Sequence, residues 1–138
     1  MKLVGVDHLA MRKFNELSAG QHQKVAVARG IVEETPILIL DEPTSNLDVR
    51  HQVFVIEMLR ALAEADDKLI VMISHDLNLA AKYAHKVVLM SAPGVIRDVG
   101  APKDVITEEA VREVYGVECE VVSHGGKPLV ILGSALPE

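Results

Sequence analysis

The chain has 138 residues and a formal net charge of −6; 49% of its residues are hydrophobic and only 3% are aromatic. That length suits one domain with an interior of Val, Ile, Leu and Ala, and the acidic balance excludes a basic nucleic-acid surface. The apolar runs are too short to span a bilayer and the start at Met1 does not read as a signal peptide, so a cytoplasmic protein is expected.

Residues 1–13 are expected to form a short helical piece and an exit loop. From Ser18 the apolar positions Val25, Ala28, Ile31 and Val32 recur at helical spacing, and Pro36 supplies the stop. Ile37 to Leu40 is a continuous apolar run, which predicts a short strand buried on both faces, the habit of a parallel sheet. Pro43-Thr44-Ser45-Asn46 is turn chemistry, and Asp48 can cap a helix with Val53, Ile56, Leu59 and Ala63 on one stripe.

Leu69 to Ile73 predicts a second buried strand, Leu77 to Ala84 a short helix, and Val87 to Met90 a third strand. Alternating helices and buried strands imply an α/β architecture. Val95 to Val99 is placed to pair back on the third strand. Thr107 caps a helix to Tyr115 that Gly116 ends. Glu118–Val122 and Leu129–Leu132 flank the turn His124-Gly125-Gly126-Lys127 and predict a second hairpin. The lone Cys119 has no partner for an internal disulfide and reads as a small buried hydrophobe.

Three places carry candidate chemistry. Leu17-Ser18-Ala19-Gly20-Gln21 opens a helix with little bulk. It reads either as a capping box, Ser18 with Gln21, or as a phosphate site at a helix N-terminus. Asp41 and Glu42 end a buried strand, where open α/β sheets hold their ligands. Strand neighbours point to opposite sides, so two separate tasks fit better than a facing acid/base pair: one carboxylate toward a hydrated Mg²⁺, one toward an attacking water. His75 closes the next strand at the same edge. Histidines 8, 22, 51, 85 and 124 lack metal-ligand spacing and read as ordinary loop or helix-surface residues.

Taken together, these stretches resemble the nucleotide-binding subunits of ABC transporters over essentially the whole chain. Leu17-Ser18-Ala19-Gly20-Gln21 resembles the signature loop, with Ala19 where the family more often has Gly. Ile37 to Glu42 resembles the Walker B strand, which implies Asp41 as the Mg²⁺-associated carboxylate, through water, and Glu42 as the catalytic base. Ser45-Asn46-Leu47-Asp48 resembles the D-loop, and His75 the switch histidine that contacts the γ-phosphate. The stretch Val105 to Val117 further resembles importers of iron chelates, haem or cobalamin.

No stretch reads G-x-x-x-x-G-K-[ST]. The resemblance therefore implies a partial P-loop NTPase core with a mostly parallel sheet and no Walker A strand. Residues 1–100 would be the C-terminal part of the ATPase domain and 101–138 a small α+β extension. It implies ATP and Mg²⁺ in an intact dimer, with weak or no binding by this chain alone. The implied partners are a second ATPase subunit and membrane permease subunits, at the inner face of the cell membrane; no nucleic acid and no direct membrane span are expected. Two other readings are a non-catalytic module that caps ATP on a partner, and the C-terminal lobe of a chromosome-maintenance-type ATPase. The latter wants an upstream coiled coil and a basic surface that this sequence lacks. In related P-loop ATPases the strand feeding Walker A lies between the equivalents of Leu69–Ile73 and Val87–Met90. Without it these strands are expected either to pair directly or to accept a strand from a second copy.

Overall fold

In the computed structural model, residues 7–9, 11–32, 35–65 and 68–137 are described. They divide into two units, Met1–His75 and Asp76–Glu138. In the first, single 3₁₀ turns at Asp7–Leu9 and Phe14–Glu16 precede helix α1, Ala19–Val32. The expectation for residues 1–6 and 10 lies outside the described residues. Strand β1, Ile37–Asp41, runs parallel to β2, Leu69–Ile73, with Leu38 opposite Ile70 and Asp41 opposite Ile73. Helix α2, Val49–Ala65, connects them. Its N-cap is Asp48, whose carboxylate accepts from the His51 backbone N–H at 2.9 Å.

Val27 and Ala28 of α1 and Val55, Met58 and Leu59 of α2 pack with Leu38 into one core, against which Leu17, Leu40, Leu47 and Ile70 also lie. Of the expected stripe of α2, Ile56 and Leu59 are buried and Val53 and Ala63 half-buried; Val55, Met58 and Leu62 complete the buried face. The side chains of Ile31 and Val32, expected on the core stripe of α1, lie outside the described residues.

The strands are not buried on both faces. Strand alternation sends Leu38 and Leu40 to the helices and Ile37, Ile39 and Asp41 to the other side, where Ile39 is 72% exposed. Leu69, Val71 and Ile73 share that open face. An apolar run on both faces of a strand states what the strand can bury, and only one cover is supplied by the described residues.

The second unit starts with α3, Leu77–Tyr83, capped by Asp76 accepting from the Leu79 N–H at 2.9 Å. Strands β3, Val87–Ser91, and β4, Val95–Gly100, form the expected antiparallel hairpin, with a register shift between Leu89 and Met90. After the short α4, Pro102–Val105, comes α5, Glu108–Tyr115, capped by Thr107 and closed by Gly116 in the left-handed conformation. Strands β5, Val117–His124, and β6, Lys127–Ala135, are joined by Gly125 and Gly126, both with positive φ (59° and 76°), as a tight two-residue hairpin demands. Ala81, Ile106, Val111 and Val130 form a core, and Leu89, Val105 and Ala110 a second cluster. Cys119 is half-buried rather than buried; partial desolvation, then the Glu108 carboxylate, pushes its thiol pKa up.

The parallel character of the fold thus resides in β1–β2, and the other two pairs are hairpins. Among the described residues, strand β2 pairs with β1 within the first unit and β3 with β4 within the second. Among the same residues, no helix is long and apolar enough to cross a membrane.

Candidate functional site

The first turn of α1 is a capping box. The Gln21 N–H donates to Ser18 Oγ at 3.3 Å, and the Ser18 N–H donates to Gln21 Oε1 at 3.0 Å. This turn forms one wall of a cleft of about 560 Å³. Ser18, Gly20, Gln21 and Lys24 line it from α1, and Asn46, Leu47, Asp48 and His51 from the segment entering α2. The structure therefore brings six of the sequence-derived site residues together. Backbone N–H groups of a helix start and the Lys24 ammonium give the cleft donors for an anion. Ala19 is the first residue of α1 and is not among the described residues lining the cleft; its side chain lies outside the described residues.

Asn46 has φ 60°, a left-handed conformation that Asn tolerates better than most residues. It turns the chain so that Asp48 can cap α2. His51 Nδ1 donates to Asp48 Oδ2 at 2.7 Å while its backbone N–H donates to Oδ1. These bonds, with smaller help from the charges of His51 and Lys24, hold the Asp48 carboxyl below its ordinary pKa.

A second group forms where β1 and β2 end. The Glu42 N–H donates to the Ile73 carbonyl at 3.1 Å, extending the ladder one residue past β1. Glu42 then takes φ 45°, and its carbonyl accepts from the Ser45 N–H (3.0 Å) and hydroxyl (2.9 Å). The turn brings Glu42 Oε1 to 2.7 Å from His75 Nε2, with 42% of the Glu42 and 78% of the His75 side chain exposed. A carboxylate and an imidazole so placed are within a water's reach of one reacting group. Neither is among the described residues lining the cleft.

Asp41, the last residue of β1, is exposed on the open face. Among the described residues, no group of three or more His, Cys, Asp or Glu could hold a metal ion. A single exposed carboxylate fits Mg²⁺, which keeps several waters and takes ligands from phosphates rather than from a protein cage.

Lys24, His8 and His51 line the cleft although no sequence motif singled them out. For His51 a signal existed: it stands three residues after a capping Asp, where its backbone and ring can both reach the carboxylate.

A sequence model of the family described as "ABC transporter" matches residues 1–45. The chain is 40% identical over 121 residues to a cobalamin import ATP-binding protein of Halobacterium salinarum, covering 88% of this chain and 30% of the relative. It is 35% identical over 140 residues to the ferric enterobactin transport ATP-binding protein of Escherichia coli, covering 99% and 51%. A solved transporter assigned to the metal-chelate ABC type, in an inward-facing conformation, superposes with a TM-score of 0.80 at 27% identity, over 96% of this chain and 53% of that one. The dimeric ATP-binding cassette MJ0796 bound to ADP and Pi gives 0.67 at 30% identity, over 73% and 43%. The chain spans between about a third and a half of the length of these curated relatives. Its fold neighbours are ABC ATPases of the P-loop NTPase fold, and over most of its length the chain is similar to ATP-binding proteins of ABC transporters.

Proposed function

We propose that the chain is the C-terminal portion of the ATP-binding and ATP-hydrolysing subunit of an ABC importer of metal chelates, with residues 1–100 in the ATPase domain and 101–138 a C-terminal extension. The observation that carries this is the 2.7 Å pair of Glu42 and His75, residues 33 positions apart that meet at the carboxyl end of a parallel strand pair. The names of the cobalamin and ferric enterobactin relatives support the importer class.

In this reading the chain contributes to two ATP sites. Glu42 accepts a proton from the water that attacks the γ-phosphorus as the bond to the bridging β–γ oxygen breaks. His75 donates a hydrogen bond to the γ-phosphate and orients Glu42. Asp41 holds the hydrated Mg²⁺, which neutralises charge on the phosphates when bound. At the other site, Ser18, Ala19, Gly20 and Gln21 present the start of α1 to ATP held by a second subunit, with Ser45 to Asp48 as the adjoining D-loop. That the Glu42–His75 pair and the α1 cleft are separate groups supports this division. The assembled subunit would sit at the cytoplasmic face of the membrane, on its permease. The isolated chain has no Walker A sequence and is expected to turn over no ATP.

The test uses a subunit completed by joining this chain behind the N-terminal portion of the ferric enterobactin relative. Glu42→Gln should leave ATP binding intact and slow hydrolysis by ~10²–10⁴-fold. His75→Ala should lower turnover more than nucleotide affinity. Near-normal turnover of the Glu42→Gln subunit contradicts the assignment.

A further inference from the structure

The two walls of the cleft meet at Gly20. A Cβ built on it would lie 3.2 Å from Leu47 Cδ2 and 3.9 Å from the Asn46 carbonyl oxygen. Ordinary carbon–carbon contact is about 3.5–4.0 Å, so a side chain at Gly20 would crowd the leucine methyl by a few tenths of an ångström. Leu47 is held from both directions: Asn46 before it is in the left-handed conformation and Asp48 after it caps α2. Its N–H donates to the Thr44 carbonyl at 3.4 Å, and its side chain packs on the core that includes Val27 and Leu38. In the same loop, the Ser45 hydroxyl and N–H both hold the Glu42 carbonyl.

We propose that Leu47 is a positioning residue. Seated on Gly20, it locks the first turn of α1 to the 43–48 loop, so that a shift at the anion-facing turn is passed through Ser45 to the backbone of Glu42. The inference rests on the cleft being the anion site proposed above and adds how that site reports to the catalytic carboxylate. It also gives Gly20 a second reason to lack a side chain. Close approach of an anion needs an open helix start, and close approach of Leu47 needs an empty Cβ position. The first operates with ligand only; the second operates in the ligand-free chain. Packed contacts of this kind transmit displacement because the neighbouring atoms have no slack, and coupling of this kind is established only by measuring it.

The experiment uses the ligand-free full chain with Gly20→Ala, Leu47→Ala and the double variant, read by thermal midpoint and by backbone amide resonances. With Leu47 present, the methyl added by Gly20→Ala crowds the leucine; in the Leu47→Ala background the same added methyl fills vacated space. Gly20→Ala should therefore be less favourable in the Leu47 background than in the Leu47→Ala background by about 2 °C or more. Leu47→Met, with its flexible chain, should restore part of the midpoint in the Gly20→Ala variant. Gly20→Ala should also move the amide resonances of Ser45 to Asp48 and of Glu42, a response that loss of stability alone does not produce. Additive midpoints, or unmoved Ser45–Asp48 and Glu42 amides, overturn the proposal. Nucleotide is absent throughout, so this outcome is independent of whether the cleft binds phosphate.

Discussion

Glu42 keeps a left-handed backbone at φ 45°, a conformation that costs an L-residue other than Gly roughly 1–2 kcal/mol. The return is a carboxylate turned away from simple strand alternation and toward His75. Glu42→Gly and Glu42→Ala both delete the carboxylate, so their difference isolates the backbone. Glycine should be the more stable of the two by about 1 kcal/mol, the reverse of the order at ordinary positions. Equal or higher stability of the alanine variant, by denaturant titration, would remove the claim of strain. At Asp48 the depressed carboxyl pKa sets a pH dependence. Because the folded pKa lies below the ordinary value of about 3.9, its contribution is complete above that value and is lost as pH falls through the depressed one. The gap in thermal midpoint between the wild type and Asp48→Asn should therefore hold steady down to about pH 5 and narrow as the pH falls below the ordinary carboxyl value of about 3.9. A gap unchanged to the lowest pH would contradict it.

Among the elements, the β5–β6 hairpin is tied to α3 by one side chain. Asn78 accepts from the Val130 N–H at 2.8 Å and donates to the Val130 carbonyl at 3.1 Å, doing for β6 what a neighbouring strand would. Val130 is 4% exposed, so its backbone groups have little water to turn to. Asn78→Leu should lower stability by about 1–3 kcal/mol, read from the thermal midpoint; an unchanged midpoint would show the pair to be dispensable. Such a contact joins residues 52 positions apart and leaves no local pattern in the sequence. What was legible was local. The Ser18–Gln21 box, the Asp48 and Thr107 caps, the Gly116 stop and the Gly125-Gly126 turn are all short-range chemistry, and all form as their residues dictate. The α1 and 43–48 walls of the cleft were likewise visible as motifs, but Lys24 and His8 were not, because only folding brings them alongside. The open face of β1–β2 was misread for the complementary reason: Ile37 and Ile39 carry the apolar character of buried residues whether or not a cover is present.

At the scale of the whole molecule, the exposed face of Ile37, Ile39, Leu69, Val71 and Ile73 is a contiguous apolar surface of the kind that takes cover from other polypeptide. This agrees with a chain that spans about half or less of its curated relatives. In the proposed function the start of α1 closes over ATP held by a second subunit, while Glu42 and His75 serve the ATP site of their own subunit. Sedimentation of the completed subunit carrying Glu42→Gln, with and without MgATP, tests it most directly. The completed subunit should be a monomer without nucleotide and a dimer with MgATP, and the dimer should be lost when Ser18→Arg fills the helix start. A dimer that forms regardless of ATP, or that survives Ser18→Arg, would contradict it.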